Sequence, residues 1–412
     1  MSKNNKDFFK CKNSWSEIKD RLLSCYLPQY FQKVLWTKKP IFYVDCFAGK
    51  GRFDDGKDGS PRIALKIRDQ SLSATKVDFA RIDACFIDLN YAKELKENTA
   101  EFHNDNGSVQ VVSGRYEEQI EHILSEKRNT NIFLYIDPYG IKALDSKLFD
   151  KFSKIGSIEM LINMNSFGFF RDACRVLQAE RVQRDEVFQD LNDIVEYDPT
   201  DIDTSDKSKK LLTNIAGGDY WVNIVRDYQA NEIDGYEAEK RFSMSYKQYL
   251  SQKYSYVLDM PIRMKVGQRP KYRMIHVCNH EDGCILMAEN MASRSDELYT
   301  EVQNQGQLSM FNYDTENEVI DVESIRNKML SILLNFPNGV TANKLKAAFY
   351  TQFGVLCKMS TIHNIWGDLE KSGIVEVTRY PAHTEQGRPT KFFNESTRKG
   401  KEQHVIIRRS SL

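Results

Sequence analysis

Short, nearly uninterrupted apolar runs recur through the first part of the chain, with stretches of helical spacing between them. Ile41-Phe-Tyr-Val-Asp45, Ala84-Cys-Phe-Ile-Asp88, Val109-Gln-Val-Val112, Ile132-Phe-Leu-Tyr-Ile-Asp137 and Met160-Leu-Ile-Asn163 read as strands. Ser60-Pro61 marks a helix start, with Ser60 as N-cap and Pro61 in the first turn, and helices are predicted over 91–104 and 116–126. Strands that are apolar on both faces and alternate with helices belong to a parallel sheet covered on both sides. Further on, Tyr254 to Met264 and Tyr272 to Cys278 flank the turn residues Gly267-Gln-Arg-Pro270, a hairpin signal. The pattern predicts an α/β sheet of seven strands that ends with an antiparallel one. Ahead of it, Trp15, Ile18, Leu22 and Tyr26 fall at helical spacing, and Pro28 is expected to end that helix before Tyr30–Leu35.

The texture changes near Val319. Ile325, Met329, Ile332 and Leu333 line one helical face, a second helix is expected from Thr341 to Phe349, and a third from Ser360 to Ser372 carries Ile362, Ile365, Trp366 and Leu369 on one side. Ile374-Val-Glu-Val377 and Thr390-Lys-Phe-Phe393 read as two strands around the turn Glu385-Gln-Gly387-Arg-Pro. Three helices and a two-stranded ribbon make a winged helix. The expected organisation is a helical segment at 1–40, a sheet domain at 41–312 with an acidic insertion near 185–212, and a winged-helix domain at 319–412.

Composition narrows the function classes. At 412 residues the chain exceeds one domain of about 150. Apolar residues make up 41% and charged residues 28%, enough for a core and too apolar for a disordered chain. Fifty-eight Lys plus Arg balance fifty-eight Asp plus Glu, which excludes a globally basic nucleic-acid coat but leaves room for local basic faces. Charge is indeed uneven: residues 379–412 carry eight Lys/Arg against three Asp/Glu, whereas 185–206 carry nine Asp/Glu and no Lys/Arg. No apolar run approaches the roughly 20 residues of a membrane helix, so no membrane partner is expected. The polar, lysine-rich Met1–Lys12 lacks the apolar stretch of a signal peptide. Eight dispersed cysteines with no CxxC pair fit reduced thiols, and the expected compartment is the cytoplasm. His276, Cys278 and His280 would share one strand face, but positions two apart on a strand lie about 6–7 Å from each other, too far to close on one zinc. No metal site is expected.

The chemistry concentrates at strand ends. In Tyr43-Val-Asp45-Cys-Phe47-Ala48-Gly49-Lys-Gly51 an apolar strand ends in a carboxylate and turns through two glycines, which lets backbone approach a ligand closely. This segment resembles the first motif, D-x-F-A-G-x-G, of Rossmann-like class I S-adenosylmethionine-dependent methyltransferases. The resemblance continues at Asp88 after the second strand, where that family holds ribose hydroxyls, and at Asp137-Pro138-Tyr139-Gly140 after the fourth. There, methyltransferases acting on exocyclic amino groups carry an Asp/Asn-Pro-Pro-aromatic motif, and the tRNA guanine-N2 enzymes a similar Asp-Pro-Phe-Gly. It implies S-adenosylmethionine as cofactor, held by Asp45, Phe47, Ala48, Gly49, Gly51 and Asp88. It also implies an acceptor amine oriented by Asp137 and Pro138, with its base stacked on Tyr139. Two features depart from the pattern: the loop after Gly51 is lengthened, and one Pro stands where many DNA enzymes have two. Arg52, Ser113, Arg115, Asn163 and Asn165 are further polar residues near strand ends.

A closer resemblance is to the three-Cys-motif partner proteins, methyltransferase-like chains encoded beside a radical-SAM-like protein with three cysteines. It rests on Tyr43 to Leu65, including Asp-Gly-Lys-Asp-Gly-Ser-Pro61, on Ile136-Asp-Pro-Tyr-Gly140, on Gly218-Asp-Tyr-Trp221 and on Tyr272 to His280. It spans roughly residues 15–305. The implied alternative function is that of a non-catalytic partner or specificity subunit, since this chain lacks a Cys-x3-Cys-x2-Cys cluster motif of its own. A DNA-binding regulator with a ligand-sensing domain is a third possibility. In the winged helix, Lys358, Ser360, Thr361, His363 and Asn364 stand at a recognition-helix start. Arg379, Arg388 and Lys391, with Arg398, Lys399 and Lys401, stand around the wing, where contacts to DNA or RNA phosphates are expected.

Overall fold

The computed structural model describes residues 9–10, 12, 14–78, 80–104, 107–183, 202–262, 270, 272–304, 321–397 and 400–410. The chain folds into two units, Met1–Asn279 and His280–Leu412. The division precedes the expected 312/319 boundary because the long helix Glu281–Asn304 packs on Ala342–Phe353 and so groups with the C-terminal elements.

The first unit is built on a seven-stranded sheet. Its strands are β1 (Ile41–Asp45), β2 (Ile82–Asp88), β3 (Val109–Ser113), β4 (Asn131–Ile136), β5 (Ile158–Met164), β6 (Tyr256–Ile262) and β7 (Tyr272–Cys278), in the order β3-β2-β1-β4-β5-β7-β6. The first five run parallel, and β7 pairs antiparallel with both β5 and β6. Helices flank the sheet, as the apolar strands require: β1, β4, β5 and β7 are buried at every residue. This is a mixed α/β architecture, Rossmann-like in general kind. The reversal of strand order on either side of β1 leaves a crevice at the carboxyl ends of β1 and β4, the place where such sheets hold ligands.

Three local expectations change. Helix α1 (Ser14–Leu35) runs through Pro28 instead of ending there. The missing N–H costs about 3 kcal/mol in a helix interior, but Leu23, Tyr26, Leu27, Tyr30 and Phe31 bury almost completely. Each such side chain is worth about 1.5–3 kcal/mol. Second, Gly59 is the N-cap of α2 (Ser60–Ala74), because the Ser60 hydroxyl is directed to Asp45 at 2.6 Å. Third, the acidic stretch 185–201 lies outside the described residues, as does the turn 263–269; Ser205 then caps Asp206–Ala216.

In the second unit, Val322–Leu333, Ala342–Phe353 and Met359–Lys371 are helical as expected, and Ile325, Met329, Ile362, Ile365, Trp366 and Leu369 are buried. The strand expected at Thr390–Phe393 does not form. The partner of β9 (Val375–Tyr380) is instead β10 (His404–Arg409), which also pairs with β8 (Val340–Thr341). Segment 390–393 has its carbonyls met by side chains: Arg379 donates to Phe392 O at 2.9 Å, and buried Lys346 to Phe393 O at 3.0 Å. Among the described residues no helix is long and apolar enough to cross a membrane.

Candidate functional site

At the carboxyl ends of β1, β2 and β4 lies a cavity of about 540 Å³. Its first wall is the turn after β1. Cys46 N donates to Tyr135 O and Ala48 N to Ile87 O, at 2.9 and 3.0 Å, so the turn is fastened to β4 and β2. Gly49 and Gly51 adopt φ of +59° and +74°. A Cβ on Gly51 would lie 2.9 Å from the Leu95 methyl, and one on Gly49 would lie 3.0 Å from the Phe9 ring. Both positions therefore need glycine for conformation and for space.

Phe47, Ala48, Gly49, Gly51 and Asp88 line the cavity, whereas Asp45 does not. The Asp45 carboxylate is wholly buried beneath the turn, accepting from Phe47 N at 3.2 Å and from the Ser60 hydroxyl at 2.6 Å. Burial pushes its carboxyl up to about 7 against those two bonds. Asp45 thus braces the turn and the start of α2. Asp88 Oδ2 accepts from Gly49 N at 2.9 Å, and Oδ1 accepts from Asn90 N and Tyr91 N at 2.8 and 2.6 Å. A carboxylate has about four lone-pair positions, so one position on Oδ2 is left for a ligand hydroxyl.

The opposite wall is Asp137-Pro138-Tyr139-Gly140, and all four residues line the cavity. Tyr139 is 51% exposed. The Asp137 carboxylate is gripped by the Lys19 ammonium at 2.8 and 2.7 Å. It also accepts from Asn163 Nδ2 at 2.7 Å and from the Tyr135 hydroxyl at 3.3 Å. Those bonds fill its lone pairs.

Lys19 and Asp20, both from α1, enter the lining, and no sequence motif singles them out. Asp20 pairs with Lys12 at 2.5 Å, and burial pushes its carboxyl up to about 6, opposed by Lys12 and Lys19. A signal was there: Ser16 and Lys19 are both buried and continue the stripe Leu22, Leu23, Tyr26, Leu27, Tyr30 toward the helix start. A lysine on a core-facing stripe needs a buried anion.

Of the remaining strand-end residues, Arg52, Arg115, Asn163 and Asn165 line the cavity and Ser113 does not. Asn165 is occupied as the N-cap of Ser166–Val176, accepting from Gly168 N at 2.7 Å. Cys46 also faces the cavity, but burial raises its thiol well above the ordinary range, so thiolate chemistry there is disfavoured. His276 is engaged elsewhere, 2.8 Å from Glu159 in the buried sheet.

The residues of the second unit expected to contact nucleic acid separate into two sets. Ser360 and Asn364 are exposed one turn apart on Met359–Lys371, and Arg388, Lys391 and Lys401 are exposed beyond β9. Thr361 is half-buried, and Lys358 pairs with Asp296 at 2.8 Å. Arg379 and His363 are structural. Arg379 grips Glu370 through two bonds of 2.6 and 2.7 Å. His363 stacks on Phe393 at 5.8 Å, and burial, aided by Lys346, lowers its imidazole to about 4. Arg398 and Lys399 lie outside the described residues.

A scan against protein-family models finds no match for this chain, and no curated protein matches it.

Proposed function

We propose that the first unit is an S-adenosylmethionine-dependent methyltransferase acting on a base amino group of a nucleic acid, DNA or RNA. The observation that carries this reading is the meeting, in one cavity, of the glycine turn, Asp88 and Asp137-Pro138-Tyr139-Gly140. Two glycines at positive φ line the cavity and present backbone to it, and Asp88 keeps a lone pair for a ribose hydroxyl. The antiparallel β7 beside β5 agrees with a class I methyltransferase sheet.

S-adenosylmethionine would supply its sulfonium methyl group to the amine nitrogen, the sulfur keeping the electron pair of the broken bond and the amine proton passing to solvent. The protein's part is placement of the acceptor, since near-in-line geometry provides most of such an acceleration. Half-exposed Tyr139 offers its ring for base stacking. Asp137 and Lys19 fix the floor. We read the second unit as a winged helix that binds the polymer through Ser360, Asn364, Arg388 and Lys391, with Arg379 and His363 maintaining its core.

One observation favours a second reading, a non-catalytic partner of a radical-SAM-like three-cysteine protein: the lone pairs of Asp137 are already filled. Calorimetric titration of the protein with S-adenosylmethionine and S-adenosylhomocysteine, repeated on Gly49→Arg, tests the enzyme reading, and Asp137→Ala, which should abolish methylation with binding intact, separates it from the partner reading. Micromolar binding by the wild type alone supports the enzyme reading. A folded wild type that binds neither compound overturns it.

A further inference from the structure

This inference rests on the nucleic-acid reading of the acceptor and concerns where the first unit itself holds a phosphate backbone. An open groove of about 630 Å³ lies between the helices Ser146–Phe152 and Asp206–Ala216, lined by Lys147, Asp206, Lys209, Lys210, Thr213 and Asn214. All three lysines are exposed, and among the described residues none of them has an ion-pair partner. Lys151, one turn along the first of these helices, is by contrast paired with Glu121 at 2.6 Å. Three ammoniums against one carboxylate leave the lining two positive charges in excess, in a chain whose charges balance as a whole.

The frame beneath the lysines is fixed. Asn214 Nδ2 donates to Asp145 Oδ1 at 2.7 Å, and the Ser146 hydroxyl donates to Asn214 Oδ1 at 3.0 Å, so the two helices are fastened together at the groove. The indole of buried Trp221 donates to the Thr213 hydroxyl at 3.1 Å, which ties the segment Gly218–Trp221 to the same place. A concave, rigid surface with uncompensated ammoniums on it favours an anion.

Its position names the anion. A single connection leaves the carboxyl end of β4, supplies Pro138, Tyr139 and Lys142 to the cavity, and ends at Asp145, the N-cap of the helix that carries Lys147. Lys142 is exposed and likewise has no ion-pair partner among the described residues. Five residues of chain span at most about 18 Å. With phosphates about 3.4 Å apart along one strand, that is a reach of about five nucleotide steps.

We infer that this groove binds phosphates of the strand that adjoins the nucleotide in the cavity, with Lys142, Lys147, Lys209 and Lys210 as the contacts. The polymer is then held by the first unit along its own backbone, in addition to the exposed basic residues of the second. Contacts of this kind set the position of a strand, carry no base information and weaken with salt.

The test is fluorescence anisotropy of a labelled single-stranded oligonucleotide with the full chain at several salt concentrations. K147Q/K209Q/K210Q should reduce the slope of log K against log salt by about two, at about 0.7 for each phosphate contact on a single strand. Its melting temperature and S-adenosylhomocysteine affinity should equal those of wild type, because the three side chains are exposed and outside the cavity lining. Lys151→Gln removes a charge from the same helix outside the groove and should leave the slope as it is. A loss per charge in Lys151→Gln equal to that of the groove variant overturns the inference, since net charge alone would then explain both. Calorimetric titration with inorganic phosphate covers the other source of the same anion. Phosphate binding that the triple variant loses, with the oligonucleotide slope intact, assigns the groove to a free anion and overturns the strand contact. An intact slope without phosphate binding overturns the groove as an anion site. A wild type that binds S-adenosylhomocysteine and no oligonucleotide overturns the nucleic-acid reading and this inference with it.

Discussion

The ammonium of Lys19, in the second turn of the first helix, donates to both carboxylate oxygens of Asp137, 118 residues later, at 2.8 and 2.7 Å. The two side chains are 11% and 21% exposed, so the pair is shielded from solvent and salt. Removing one partner of such a pair leaves an uncompensated charge in a poorly solvated place. Lys19→Met should therefore lower unfolding stability by about 3 kcal/mol, and Lys19→Arg should recover most of it. Urea unfolding followed by circular dichroism measures both. A wild-type midpoint for Lys19→Met would show that Asp137 is not held by this contact.

Asp45 gives a pH dependence of definite sign. Burial raises its carboxyl from 3.8 to about 7, and that of Asp20 from 3.8 to about 6. Between those values the unfolded chain has released the protons that the folded chain still holds. Stability therefore declines as pH rises from about 4 to about 7 and levels off above, opposite to the usual salt-bridged carboxylate. Asp45→Asn keeps an acceptor for Phe47 N and a polar partner for Ser60. It should flatten this decline and gain about 2 kcal/mol over wild type at pH 8. Thermal unfolding of both proteins across pH 4 to 8 decides it; parallel curves would mean that Asp45 is ionised in the fold.

The glycine turn predicts a contrast between two residues with similar backbone. Gly51 and Gly140 both have positive φ, +74° and +88°, so alanine at either carries strain of about 1 kcal/mol. They differ in space: a Cβ on Gly51 meets Leu95 at 2.9 Å, whereas nothing lies within 4 Å of one on Gly140. Gly51→Ala must also displace the buried Leu95 side chain or the turn itself. It should weaken S-adenosylhomocysteine binding by at least about tenfold, with Gly140→Ala retaining affinity within about twofold. Equal losses in calorimetric titration would remove the turn from the binding site.

The strands were legible because each is an apolar run of the right length, and Gly49 and Gly51 because no other residue type suits such a turn. The residues that complete the floor of the cavity were not. Lys19 falls on the apolar stripe of the first helix, but the sequence does not show that Asp137 is its partner, and Asp20 beside it carries no such signal. Ser60 and Asp45 each had a local role available, capping and ligand contact, and the tertiary pairing between them overrode both. The same override misplaced a strand: Thr390–Phe393 has the composition of a β segment, but Arg379 and Lys346 occupy its carbonyls. His404–Arg409, with alternating Val405 and Ile407 buried, takes the ladder. Long-range side-chain-to-backbone bonds of this kind leave no periodic trace in a sequence.

That division between occupied and open side chains yields the last prediction. Arg379 is buried and doubly bonded to Glu370, so Arg379→Ala should destabilise the second unit by about 3 kcal/mol through the charge and the carbonyl left behind. Arg388 and Lys391 are exposed on the loop after β9. Replacing either with alanine should leave the melting temperature unchanged, weaken single- or double-stranded nucleic acid binding, and reduce the slope of log K against log salt by about one per residue. Fluorescence anisotropy with a labelled oligonucleotide at several salt concentrations measures the slope. If Arg379→Ala melts like wild type, or if Arg388→Ala and Lys391→Ala leave the slope intact, the assignment of these arginines and this lysine must be exchanged or abandoned.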